Sequence, residues 1–127
     1  MVTRAMRVLI VDDDETTLLL ARRRLEAEGH RVEVRSAAIG TTNAVRTFRP
    51  DVVLVDVGLP AMTGYELAKL LHSSSPNSRL VLFSGRDRTE LSARAREVGA
   101  IGFIHKSDSA RIVPLLEALL KNSRRTP

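Results

Sequence analysis

Asp12, Asp13 and Asp14 follow directly on an apolar run, Val8-Leu9-Ile10-Val11, and Asp56 follows directly on another, Val52-Val53-Leu54-Val55. If the two acidic sites share one crevice, carboxylates about 5 Å apart at an effective dielectric near 20 repel by roughly 3 kcal/mol per pair. A divalent cation removes that repulsion, and carboxylate, carbonyl and water oxygens are the ligand set of Mg²⁺, with Mn²⁺ as the alternative. The bland reading is a solvated acidic rim without an ion. Asp14 has a structural use, because Asp caps helix N-termini well; Asp12, Asp13 and Asp56 have none. Two further groups stand after apolar runs. The Ser84 hydroxyl in Phe83-Ser84-Gly85 suits donation to a phosphoryl oxygen, with Gly85 permitting close backbone approach. Lys106, after Ile104-His105, would offset developing phosphoryl charge. Alone, each reads as an ordinary turn or a surface lysine; jointly they suit phosphoryl transfer. The loop Val57-Gly58-Leu59-Pro60-Ala61-Met62-Thr63-Gly64 either sets a carbonyl against the cation or merely connects two elements.

The elements that must position these groups are legible as an alternation. Apolar runs at Arg7–Val11, Arg31–Arg35, Asp51–Val55, Arg79–Phe83 and Ile101–Ile104 predict strands. Between them, Thr16–Glu28, Ala38–Phe48, Thr63–His72, Arg88–Val98 and Ser109–Lys121 carry apolar residues at helical spacing, the second weakly because of Gly40, Thr41 and Thr42. Gly29 and Gly99 are stop signals, Arg49-Pro50 ends the second helix, and Pro114 sits early enough in the last one to be tolerated. Alternating strands and helices predict an α/β domain with a parallel sheet covered on both faces. Arg31-Val32-Glu33-Val34-Arg35 alternates strictly, which predicts an edge strand with one wet face, whereas the continuously apolar runs suit central strands. A single doubly wound (βα)5 flavodoxin-like domain, with five parallel strands in the order 2-1-3-4-5, satisfies this. Its ligand crevice lies at the carboxyl ends of strands 1 and 3, where the acids are.

Length and composition narrow the function classes. A chain of 127 residues with 43% hydrophobic content fits one domain with one sizeable core. No run approaches the roughly 20 apolar residues needed to span a bilayer, and Val8–Val11 is too short for a secretory signal. The absence of cysteine excludes disulfides and thiolate metal sites. The net charge of +5 is mostly scattered arginine, and aromatics are only 3%, so the stacking surface of single-strand nucleic-acid binders is missing. His30, His72 and His105 show no paired ligand spacing and are expected to be ordinary surface or boundary residues.

With these residues in place, the chain resembles the receiver domain of two-component response regulators. The matching residues are Val-Asp12-Asp13-Asp14, Asp56-Val-Gly-Leu59-Pro60-Ala-Met62-Thr-Gly64, Phe83-Ser84-Gly85 and Gly102-Phe103-Ile-His-Lys106, in family order from about Arg7 to Asn122. The resemblance implies a domain over residues 7–122, an extension over 1–6, and a tail or truncated linker over 123–127. It implies that Asp56 is the phosphoacceptor and that Asp13, Asp56 and the Gly58 carbonyl ligate Mg²⁺, with Asp12 acting through water or at longer range. Ser84 resembles the switch hydroxyl, Lys106 the lysine paired with the phosphoryl group, and Phe103 the aromatic that turns inward with the switch. The implied donor is a sensor histidine kinase or histidine phosphotransfer protein. The implied output is a change of the face formed by helix 4, strand 5 and helix 5, which also serves homodimers and effectors. The implied setting is cytoplasmic, with no direct nucleic-acid binding by this domain, no membrane, and no catalysis beyond its own phosphorylation and dephosphorylation. The Arg22-Arg23-Arg24 face is a candidate kinase contact.

The sequence departs from the family pattern at three places. Ser107 stands where many members have proline, Gly58 is small, and Arg86 lies two residues past Ser84; the last two positions tune the phosphoryl lifetime in the family, leaving it open here. Three rival readings remain at this point. Asp12-x-Asp14-x-Thr16 also resembles the opening motif of haloacid-dehalogenase-type phosphatases, with Asp12 as nucleophile and Asp14 as general acid. That reading leaves Asp56 unexplained. The others are a receiver-like module that is never phosphorylated and a flavin-binding module of like topology. Negative charge after strand 1 disfavours the flavin module, since it would repel the cofactor phosphate.

Overall fold

The computed structural model describes residues 5–59 and 62–125. Five strands, β1 (Arg7–Val11), β2 (Arg31–Arg35), β3 (Val52–Val55), β4 (Arg79–Ser84) and β5 (Gly102–His105), alternate with α1 (Glu15–Ala27), α2 (Thr41–Phe48), α3 (Gly64–Ser74), α4 (Arg88–Val98) and α5 (Ile112–Arg125). The strands form one parallel sheet in the order β2-β1-β3-β4-β5, as the alternation and the edge character of the second run require. Residues of each central strand point alternately to the two faces, which splits the core into two apolar layers. Leu9, Val11, Val53, Val55, Leu80 and Leu82 pack with residues of α2, α3 and α4. Val8, Ile10, Val52, Leu54, Val81 and Phe83 pack with α1 and α5. Each fully buried aliphatic chain contributes about 1.5–3 kcal/mol, so the strands that carry the acids are anchored on both sides.

Helix boundaries follow local chemistry. Asp14 caps α1, accepting from the Thr17 N–H at 3.1 Å, and Asp87 caps α4 through the Glu90 N–H at 3.1 Å. Thr63 and Glu66 form a reciprocal capping box at the start of α3. Gly29 and Gly99 take φ values of +89° and +79° beyond the ends of α1 and α4, the left-handed conformation glycine adopts freely.

Four differences from the sequence reading are informative. α2 begins at Thr41, not Ala38, because Gly40 precedes it in a left-handed conformation. The stretch after β5 is a 3-10 segment, Lys106–Arg111, and α5 continues to Arg125, beyond Lys121. Met6, expected in an extension, is buried in the α1–α5 layer. His30, expected at the surface or boundary, is also buried: its Nδ1 accepts from the Met6 N–H at 2.9 Å and its Nε2 lies 3.2 Å from Glu117 Oε2. Of the predicted flanks, residues 1–4 and 126–127 lie outside the described residues, as do Pro60 and Ala61 of the loop after Asp56.

Candidate functional site

Sheet register brings the two acidic sites together. Val11 of β1 pairs with Val55 of β3, so Asp12 and Asp56 leave neighbouring strands at the same level. The Asp56 N–H donates to the Val11 carbonyl at 2.9 Å, and the Asp12 N–H to the Arg35 carbonyl at 3.1 Å. Asp12 and Asp56 are buried, with relative exposures of 0% and 6%, while Asp13 is exposed. One carboxylate oxygen from each of the three lies within 4.8 Å of the others.

Lys106 enters from the far side. His105 pairs with Ser84, and the lysine one residue on passes over the Phe83 ring, 5.6 Å from its centroid. Its ammonium stands 2.7 Å from Asp12 Oδ2 and 3.6 Å from Asp56 Oδ1. Asp12 Oδ1 accepts from the Asp14 N–H at 2.9 Å. Asp12 Oδ2 is buried, and the Lys106 ammonium is its one partner among the described residues. Three carboxylates therefore face one lysine, leaving two uncompensated negative charges.

The titration behaviour reflects this imbalance. Burial pushes the Asp56 carboxyl above the ordinary aspartate range; the charges of Asp12 and Asp13 push the same way, against the Gly58 N–H and Lys106. For Lys106, burial disfavours the ammonium, but the hydrogen bond and charge of Asp12, with Asp56 behind it, outweigh burial and raise its pKa. Asp14 behaves differently: hydrogen bonds from Thr17 hold its carboxyl below the usual range. A buried carboxylate oxygen met only by an ammonium, an excess of negative charge and an all-oxygen donor set fit a hard divalent cation.

The other predicted residues are less tightly gathered. The Gly58 N–H donates to Asp56 Oδ1 at 3.2 Å, and a Cβ on Gly58 would stand 3.8 Å from that oxygen, so the missing side chain leaves the carboxylate uncovered from that direction. Gly64 admits no side chain at all, since a Cβ there would meet the Asp56 carbonyl at 2.0 Å. Ser84 is buried, and its Oγ accepts from the Arg86 N–H at 3.1 Å. Phe103 is half-buried against the α2–α4 layer. Asp14 is committed to capping α1 by hydrogen bonds from Thr17, which removes the general acid that the phosphatase reading needs. His105, expected at the surface or boundary, is partly buried, and its Nδ1 accepts from the Ser107 N–H at 3.1 Å across Lys106.

A doubly wound sheet whose carboxyl edge holds acids of β1 and β3 opposite a lysine after β5 defines a flavodoxin-like fold with an anionic site suited to a cation. The chain belongs to the response regulator receiver domain family, which it matches over residues 8–117, and is thus a receiver domain of the kind found in two-component systems. It is 32% identical over 120 residues to protein-glutamate methylesterase/protein-glutamine glutaminase 6 of Anaeromyxobacter dehalogenans, covering 93% of this chain and 34% of that protein. It is 26% identical over 120 residues to response regulator MprA of Mycobacterium avium, covering 94% of this chain and 53% of that one. The chain thus spans about half, or less, of these relatives. A CheY-like response regulator receiver domain protein from Methanospirillum hungatei superposes with a TM-score of 0.85 at 26% identity, covering 98% of this chain and 100% of the other.

Proposed function

We propose that this receiver domain accepts a phosphoryl group on Asp56 from a phosphohistidine of a sensor kinase or phosphotransfer protein, and signals through the face formed by α4, β5 and α5. The carrying observation is the buried Asp56 carboxylate at the end of β3, within reach of Asp12, Asp13 and the Lys106 ammonium. A carboxylate oxygen of Asp56 forms the new bond to phosphorus as the phosphorus–nitrogen bond to the donor imidazole breaks. The imidazole leaves with the bonding pair and takes a proton from water. Such transfer depends mainly on position and charge stabilisation. Lys106 supplies fixed positive charge, and Ser84 a hydroxyl donor on the adjacent strand. Asp13, Asp56 and the Gly58 carbonyl would hold Mg²⁺, or Mn²⁺, with Asp12 behind them; when bound, the ion neutralises the carboxylates and the incoming phosphoryl oxygens.

The new phosphoryl group adds nearly two negative charges. Ser84 turns from the Arg86 N–H toward it, Phe103 moves into the space vacated, and the α4–β5–α5 face repacks for an effector or a second copy. Gly58 leaves the acceptor open to water, which favours a short phosphoryl lifetime. The setting is cytoplasmic, and the chemistry is confined to the domain's own phosphorylation and dephosphorylation. The test is intact mass after incubation with a small phosphodonor and Mg²⁺. One phosphoryl group mapped to Asp56, absent in Asp56→Asn and without added divalent ion, is the expected result. Labelling that survives Asp56→Asn and is lost in Asp12→Asn would return the phosphatase reading.

A further inference from the structure

A second polar network stands beside the acidic site, joining α3 to α4. The Tyr65 hydroxyl, on the first turn of α3, donates to Glu90 Oε2 on the first turn of α4 at 2.7 Å. The Arg86 guanidinium reaches the same oxygen at 3.4 Å, and the Arg94 guanidinium lies over the Tyr65 ring, 5.1 Å from its centroid. Burial and the Glu90 carboxylate push the Tyr65 hydroxyl up to about 12. The two ends of this network are mechanically unequal. α3 is seated hard, because its first residue, Gly64, packs against the Asp56 carbonyl with no room for a Cβ. α4 is joined to the loop Gly85–Asp87, whose Arg86 N–H is held by Ser84 Oγ. When Ser84 turns away, Arg86 loses that acceptor and the loop must rearrange, yet Arg86 stays tied through Glu90 to a helix that cannot follow.

From this geometry we infer that Tyr65 and Glu90 form a latch that holds α4 and the β4–α4 loop in the resting arrangement and so opposes the switch. The inference rests on the phosphoryl-acceptor reading of Asp56. Tyr65 acts through Glu90 and Arg86 on Ser84 and is a positioning residue. A hydrogen bond to a charged acceptor carries enough energy to shift a two-state balance several-fold.

The chain reports on the latch by itself, since it contains one tyrosine and no tryptophan and a carboxylate acceptor quenches tyrosine emission. The experiment titrates the full chain with beryllofluoride and Mg²⁺, following emission in wild type and Asp56→Asn. It also compares beryllofluoride affinity by calorimetry in wild type, Tyr65→Phe, Glu90→Gln and the double variant. Wild-type emission is expected to rise on binding, with no change in Asp56→Asn. Each single variant should bind about three- to tenfold more tightly, and the double variant no more tightly than either single one. A merely structural contact would lower the melting temperature of Tyr65→Phe and leave its affinity unchanged. Absence of Asp56-dependent binding in wild type overturns the acceptor reading. Asp56-dependent binding with constant emission, or with Tyr65→Phe at equal or weaker affinity, overturns the latch alone.

Discussion

Both ends of the β1–β2 pair bury polar groups, and they do so in opposite ways. At the amino end, His30 accepts from the Met6 N–H and meets Glu117, so an accepting Nδ1 leaves the ring proton on Nε2, facing the carboxylate. Both ring nitrogens are used and no charge is stranded. At the carboxyl end, the buried Asp12 Oδ2 is met only by the Lys106 ammonium, which three carboxylates share. Buried polar groups in folded proteins are normally satisfied, and a like-charge cluster costs stability unless something neutralises it. The satisfied end serves the fold, fastening the start of β1 and the α1–β2 turn to α5. The other end carries uncompensated negative charge at a cost in stability, a cost that the cation proposed for the site would offset.

The comparison breaks most visibly at His30. His30→Ala should destabilise the domain by about 2–4 kcal/mol in urea unfolding, through a buried cavity and an orphaned Met6 N–H, while Mg²⁺-dependent phosphorylation persists in the folded fraction. A cost below about 1 kcal/mol would mean that the pair is not structural.

At the other end the sign reverses. Asp56 has a raised pKa in the fold, so the folded protein binds that proton more tightly than the unfolded chain. Its contribution is fully present below the ordinary aspartate value and is lost as pH rises through the raised one. At neutral pH the ionised group is therefore a liability. Asp56→Asn should stabilise the metal-free protein by about 1–2 kcal/mol at pH 7, with the gain fading as pH falls through the carboxylate range and shrinking when Mg²⁺ is added to both proteins. A destabilised Asp56→Asn at pH 7 would show that Lys106 already balances the site.

The smallest effect sharpens the boundary of the cluster. Asp14 belongs to the same acidic run but serves α1, so Asp14→Ala should cost about 1 kcal/mol of stability and leave the Mg²⁺ dependence of Asp56 labelling as it was. A changed Mg²⁺ requirement would place Asp14 with the ion.

Much of this was legible because it depends on local pattern. Continuous apolar runs against one alternating run order the sheet with β2 at its edge, and strand ends can be read wherever polar residues follow. Asp12 and Asp56 could be placed together because a parallel sheet of this winding sets the ends of β1 and β3 side by side. Asp14 could be set apart because capping requires only the first turn of its own helix. The unread features depend on side chains meeting across long separations. His30 carried no local sign of burial, since Met6 and Glu117 come from opposite ends of the chain. Tyr65 and Glu90 meet only because α3 and α4 lie side by side.

The sequence by itself determined which residue types stand at which strand ends, and through hydrophobic periodicity the layers that hold them, because both are properties of a few neighbouring residues. Tertiary structure alone decided how the charges are shared: which acid Lys106 reaches, which carboxylates are left over, and which histidine is sealed inside. Those outcomes turn on distances of a few ångströms between elements, and Coulomb and hydrogen-bond energies change steeply over that range.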